Sequence, residues 1–212
     1  MKALIVKGGW EGHDPDAVAE VFHDQLRGAG FDVEVAEQVE VFDEKAKLSE
    51  QDLIVPVWTM GKLTKEQFAN LREAVKGGVG LGGVHGGMCD AFKNSFGYMW
   101  LAGGQFLAHP HVGEYTVRLT AEPSPITDGM ASHFTYNSEQ YYLMVDPGNV
   151  ILADTLYEHD GRRVIMPVVW TKTWGAGRVF YSALGHCAQE FSDYPDVLAM
   201  TLRGFQWAAC VI

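Results

Sequence analysis

Short apolar runs alternate with segments whose apolar residues recur every three or four positions, and this alternation predicts a strand and helix series over the first 85 or so residues. Lys2 to Val6 (KALIV) is almost wholly apolar and leads into Gly8-Gly9, as suits a strand buried on both faces of a parallel sheet. Asp14-Pro15 reads as an N-cap and first-turn proline, and Val18, Phe22, Leu26 and Ala29 keep helical spacing until Gly30. Phe31 to Ala36 alternates as a second strand, and Asp52 to Trp58 is a third, with Pro56 marking its end or an irregular position. Thr64 to Gln67 (TKEQ) is a capping box for a helix carrying Phe68, Leu71 and Val75 before Gly77-Gly78. Val79 to Val84 is the fourth strand. The order predicts a parallel sheet with helices on both faces, a design that binds ligands beyond the carboxyl ends of its strands.

The second half changes character. Tyr115 to Thr120, Val150 to Tyr157, Val164 to Thr171 and Arg178 to Ser182 read as strands, Asp160-Gly161 as a hairpin turn, and Pro195 to Ala209 as a closing helix. No linker or low-complexity segment separates the halves, so one α/β domain over residues 1–212 is expected, its later part adding antiparallel strands to the sheet.

Charge narrows the partners. With 16 Lys+Arg against 27 Asp+Glu the net charge is −11, and no basic cluster is present to neutralise phosphates, so nucleic acid is not expected as a partner. No apolar run reaches the roughly 18 to 20 residues that span a bilayer, and no membrane partner is expected. Met1 to Val6 has no signal-like region behind it, and the three cysteines, Cys89, Cys187 and Cys210, lack CxxC spacing; together these point to reduced thiols in a cytoplasmic protein. A homo-oligomer is compatible with all of this.

The eight histidines and 24 glycines cluster where strands should end. Gly8-Gly9-Trp10-Glu11-Gly12-His13 follows the first strand, but its glycines are wrongly spaced for a phosphate-binding fingerprint. Gly82-Gly83-Val84-His85-Gly86-Gly87 is a strand-to-helix elbow that would expose His85 for acid-base work or metal ligation, since a histidine cannot act there as Ser or Cys would. Cys89, four residues on, is expected to be a buried apolar residue and not a nucleophile. In Gly103 to His111, Pro110 makes His109 extended, so His109 faces the site and His111 faces solvent. Asn137-Ser138-Glu139-Gln140-Tyr141-Tyr142 has a sugar-binding composition, and Gly185-His186 stands at another strand exit.

The segments GGWEGHDP, GLGGVHGGMCDAF, GGQFLAHP, NSEQYY and GAGRVFYSALGH, in this order over nearly the whole chain, resemble the ThuA-like (trehalose utilisation) family. The resemblance implies a flavodoxin-like, class I glutamine amidotransferase-like sandwich. His85 then stands where an amidotransferase has its nucleophilic cysteine and His186 falls near that fold's histidine, so no glutaminase activity is expected. It also implies a small-molecule carbohydrate partner, a disaccharide or glycoside or its 3-keto derivative.

The resulting expectation is a carbohydrate-catabolic enzyme working by acid-base cleavage or proton transfer, with His85, His186 and Glu139 as catalytic residues. Trp10, Glu11, His13, Trp58, Gln105, His109, Gln140 and Tyr141 would bind substrate. No cofactor is fixed by the sequence, and His13, His85, His186 and Glu139 would make an N/O site for zinc or another first-row divalent ion. The alternative is a non-catalytic sugar-binding or regulatory module of a sugar-utilisation pathway.

Overall fold

The apolar runs become strands of one sheet in the computed structural model, which describes residues 1–212. The first half contains β1 (Lys2–Gly9), α1 (Pro15–Gly28), β2 (Asp32–Ala36), α2 (Lys45–Ser49), β3 (Leu53–Thr59), α3 (Lys65–Lys76) and β4 (Gly80–Val84). Two short helices follow, α4 (His85–Cys89) and α5 (Phe96–Ala102). Then come β5 (Gly104–Leu119), β6 (His133–Val145), β7 (Val150–His159), β8 (Arg162–Trp174) and β9 (Gly177–Ser182), and finally α6 (Ala188–Asp193) and α7 (Pro195–Ala208). The nine strands lie in the order β2-β1-β3-β4-β9-β8-β7-β5-β6. Pairing is parallel from β2 through β9 and antiparallel from there to the edge. No helix is long and apolar enough to cross a membrane.

Local chemistry accounts for the elements. Thr64 Oγ1 accepts from the Gln67 amide at 3.1 Å while Gln67 Oε1 accepts from the Thr64 amide at 3.0 Å, the reciprocal capping box written into TKEQ. Asp14 occupies the N-cap of α1 in a left-handed conformation (φ 47°), and its side chain makes no capping bond, so the proline carries that start. Pro56 sits inside β3, paired with Val6 of β1. The β3–β4 register covers only Leu53 and Ile54, so the missing N–H falls where β3 has already parted from β4. A contiguous core of 52 buried side chains joins both halves, from Leu4 and Ile5 to Trp170 and Phe205.

Two expectations need correction. The strand foreseen at Tyr115 is the end of a 16-residue strand that begins at Gly104, and NSEQYY, not foreseen as a strand, lies within a 13-residue one. Both runs mix polar, aromatic and histidine residues, so neither shows the apolar alternation that marks a half-buried strand. They pair as a long hairpin with register shifts between Phe106 and His111, the irregularity expected where a strand bends.

The hairpin is rooted in a polar knot. Gly103 closes α5 with φ 84°, and its carbonyl accepts from the Asp146 amide at 2.9 Å and from Asn149 Nδ2 at 2.7 Å. Lys172, 9% exposed, donates to Asp146 Oδ2 at 2.6 Å and to the Trp100 carbonyl, with its ammonium over the Trp100 and Trp174 rings. Lys172 first, then the Gly148 amide, hold the Asp146 carboxyl below its ordinary value. Asp146→Asn leaves a buried ammonium without its counter-charge and should cost about 2 kcal/mol at neutral pH. Because the folded carboxyl is the stronger acid, that stabilisation is complete above the unfolded value and disappears as pH falls below roughly 4. Thermal melts of both proteins across this range should therefore converge at low pH.

Candidate functional site

Four side chains from distant parts of the sequence meet at the carboxyl ends of the parallel strands. His13 ends the short helical turn that follows β1, and Gly9 (φ 82°) lets that turn lie on β3, where an added Cβ would come within 2.0 Å of the Thr59 carbonyl. His85 begins α4 with φ 46°, a left-handed conformation rare for a residue with a Cβ and consistent with the elbow in the sequence. Gly86 makes room for its neighbour, since a Cβ there would stand 2.3 Å from the His13 ring. His186 follows the Gly185 turn after β9, and Glu139 arrives from β6, across the hairpin.

The three imidazoles form a near-equilateral triangle, with ring centroids 5.0 Å (His13–His85), 5.0 Å (His13–His186) and 5.2 Å (His85–His186) apart. His85 Nε2 lies 3.2 Å from Glu139 Oε2 and 3.2 Å from His186 Nδ1, and His186 Nδ1 lies 3.5 Å from that same oxygen. Ligand-capable atoms of all four residues fall within 4.8 Å of one another. Each inner ring is held from behind: His85 Nδ1 bonds the Ala183 carbonyl at 2.8 Å, and His13 Nδ1 bonds the Thr59 hydroxyl at 2.9 Å. A carbonyl only accepts, so His85 carries a proton on Nδ1, and in the neutral ring Nε2 presents a lone pair. At 3.2 Å from a carboxylate oxygen, Nε2 is satisfied either by a proton or by a cation between the two.

Electrostatics sharpen this. Burial drives the His13 imidazole down to about 3, helped by the proximity of His85 and His186. Burial lowers His85 as well, against the pull of Glu139. For Glu139 burial acts upward, but hydrogen bonds and attraction from His186 and His85 outweigh it and hold the carboxyl well below the usual range. The hydrogen bond with Glu139 raises His186. The cluster is thus an ionised carboxylate, two neutral rings, and a third ring that favours the proton.

Between His13, His85, His186 and Thr59 lies a cavity of about 10 Å³, the room of one water-sized sphere. Larger hollows lie elsewhere, about 590 Å³ by the Leu119 to Ser132 loop and about 400 Å³ beside Pro110, Tyr142 and Arg162, and neither contains any member of the cluster.

The other residues singled out in the sequence divide. Tyr141 stacks on His85 with centroids 3.8 Å apart, His109 Nε2 lies 3.5 Å from Glu139 Oε1, and Trp10 meets the His13 ring edge-on at 4.8 Å. Glu11 is exposed on the turn before His13. Gln140 is turned away, its amide donating to Thr155 Oγ1 at 2.9 Å and to the Leu156 carbonyl at 3.1 Å. Gln105 pairs with Met144 and alternates with Phe106, the residue that packs on Tyr141. Trp58 packs near Phe92 and fills the space over Gly8 and Gly61. Cys89 is buried, which pushes its thiol far above the usual range and leaves it inert. Sequence reasoning passed over Thr59 and Glu190; the signals were Thr59's place at the end of a strand and the four-residue step from His186 to Glu190.

A family profile described as ThuA, trehalose utilisation, matches residues 2–208. Among solved structures the chain is similar to a ThuA-like protein from Bacteroides uniformis, at 20% identity and TM-score 0.78 over 98% of this chain and 91% of that one. A ThuA-like protein from Parabacteroides merdae gives 20% identity and TM-score 0.79 over 99% and 90%. A cytoplasmic protein from Salmonella typhimurium gives 13% and 0.67 over 98% of each chain. Identities at this level speak for the fold alone, and no curated protein matches the sequence. The profile match over nearly the full length shows that this chain belongs to the ThuA, trehalose utilisation, family.

Proposed function

We propose that the chain is a carbohydrate-catabolic enzyme acting on a disaccharide or glycoside in its 3-keto form, with a divalent ion held by His13, His85, Glu139 and His186. The observation that carries this is the spacing of the donor atoms. A tetrahedral ion with bonds of about 2.0–2.1 Å sets its donors about 3.3 Å apart; the pairs among His85, Glu139 and His186 stand at 3.2, 3.2 and 3.5 Å, and His13 lies within 4.8 Å of them. The backing of His85 by a carbonyl and of His13 by a hydroxyl supplies the outer contacts that metal-binding imidazoles use to fix their tautomers.

The fold supports the same place. The parallel order β2-β1-β3-β4 continued by β9 supports a flavodoxin-like reading, in which the ligand crevice lies where the order reverses, between β1 and β3. His13 and Thr59 flank that reversal. Glutaminase chemistry forms no part of the reading, since the elbow carries His85.

In a 3-keto sugar the carbonyl acidifies the C2 proton. A base takes it, the C2–H electrons form the C1–C2 double bond, and the C1–O bond breaks as the leaving oxygen accepts a proton. An ion held by these four residues would polarise the ketone oxygen only through a fifth, open coordination position. His85, 2% exposed, has no free face for a substrate, so the base role first expected of it moves to His109, 41% exposed at the side chain and oriented by Glu139. Trp10, 48% exposed, offers an aromatic face at the rim.

Purified protein should carry close to one zinc or other first-row ion per chain, and His85→Ala or His186→Ala should lose it. Turnover of a 3-keto disaccharide that survives a strong chelator sinks the metal mechanism. His109→Ala should keep the ion and lose about 10²–10⁴-fold in turnover. A protein that binds such sugars tightly and turns over none of them is a binding module, and the enzyme reading then falls.

A further inference from the structure

The geometry points to Glu190 as the positioning residue of this centre, the carboxylate that sets the separation of His186 from Glu139. Glu190 lies on α6, is 9% exposed, and touches none of the donor atoms. Its Oε2 accepts the His186 amide at 2.8 Å and the Tyr136 hydroxyl, and its Oε1 accepts the Ser138 hydroxyl at 2.6 Å. The Tyr136 oxygen in turn accepts the Gly185 amide at 2.9 Å. Two consecutive peptide N–H groups of the turn that presents His186 are therefore tied, through one carboxylate, to two side chains of β6.

Those side chains belong to the residues just before Glu139. A buried carboxylate must find donors, and all three donors here come from the two elements whose relative placement fixes the 3.5 Å gap between His186 Nδ1 and Glu139 Oε2. The turn has little freedom to compensate, because Gly185 is left-handed (φ 90°) and a Cβ on it would stand 2.4 Å from the Phe191 ring. Removing the carboxylate releases both the turn and the strand. An amide of the same shape can still accept from His186 and Tyr136 and donate to Ser138.

The test uses Co²⁺ on the full chain and compares Glu190→Ala with Glu190→Gln. Glu190→Ala should weaken Co²⁺ binding by about 10–100-fold, the usual effect of losing an outer-shell partner, and should alter the visible spectrum of the bound ion. Glu190→Gln should restore both. Tyr136→Phe removes the hydroxyl that joins the Gly185 amide to the Glu190 carboxylate and should shift both measurements the same way, which serves if Glu190→Ala does not fold. The Co²⁺ readout rests on the metal-centre reading; a second does not. In metal-free protein the imidazole resonances of His186 and His85 should move in Glu190→Ala and return in Glu190→Gln. Folded Glu190→Ala and Tyr136→Phe proteins with wild-type affinity, spectrum and resonances overturn the proposal. A wild-type protein that fails to bind Co²⁺ overturns the metal centre instead, and the resonances then decide the role of Glu190.

Discussion

Three imidazoles about 5 Å apart and largely withdrawn from water cannot share a positive charge among themselves, so the arrangement depends on the single carboxylate of Glu139. Everything else about the site follows from bringing that carboxylate in and keeping it there. It arrives on a hairpin anchored at both ends of its reach: at the root by Lys172, Asp146 and the Gly103 carbonyl, and near the site by Tyr136 and Ser138 on Glu190. The irregular register between Phe106 and His111 lets this long pair leave the plane of the sheet without breaking its ladder.

The two halves of the sheet contribute differently. The parallel half supplies fixed corners, with His13 backed by Thr59 and His85 backed by the Ala183 carbonyl beyond β9. The antiparallel half supplies charge and cover, with Glu139 against the rings, Tyr141 stacked on His85, and His109 at the mouth. The left-handed backbone at His85 is a local cost of roughly 1 kcal/mol or more. It persists because the hydrogen bond to Ala183 and the stacked tyrosine leave the ring no other place.

Much of the fold was legible because buried parallel strands and amphipathic helices write themselves as apolar runs and periodic stripes, as in KALIV and in the TKEQ-capped helix. The hairpin was not. Its residues are selected for the site as much as for packing, and a run such as NSEQYY carries no apolar alternation to mark it as a strand. The same cause explains the candidate site. His13, His85 and His186 stood out because glycines at strand exits announce a close approach. Gln140 looked equivalent to Tyr141 until strand geometry sent neighbouring side chains to opposite faces, where Gln140 bonds to β7. Glu190 was hard to see because two of its three partners, the Tyr136 and Ser138 hydroxyls, lie on a strand 54 and 52 residues away in sequence, and only its step of four from His186 pointed to it.

The four corners of the cluster stand at positions 13, 85, 139 and 186 of a 212-residue chain. The first and last of them lie most of the chain apart, so no local segment holds more than one. An unfolded chain therefore does not assemble the cluster, which forms only once both halves of the sheet have come together. Occupancy of such a place would be a signature of a chain that has finished folding, which ties the acquisition of chemistry to the completion of the fold.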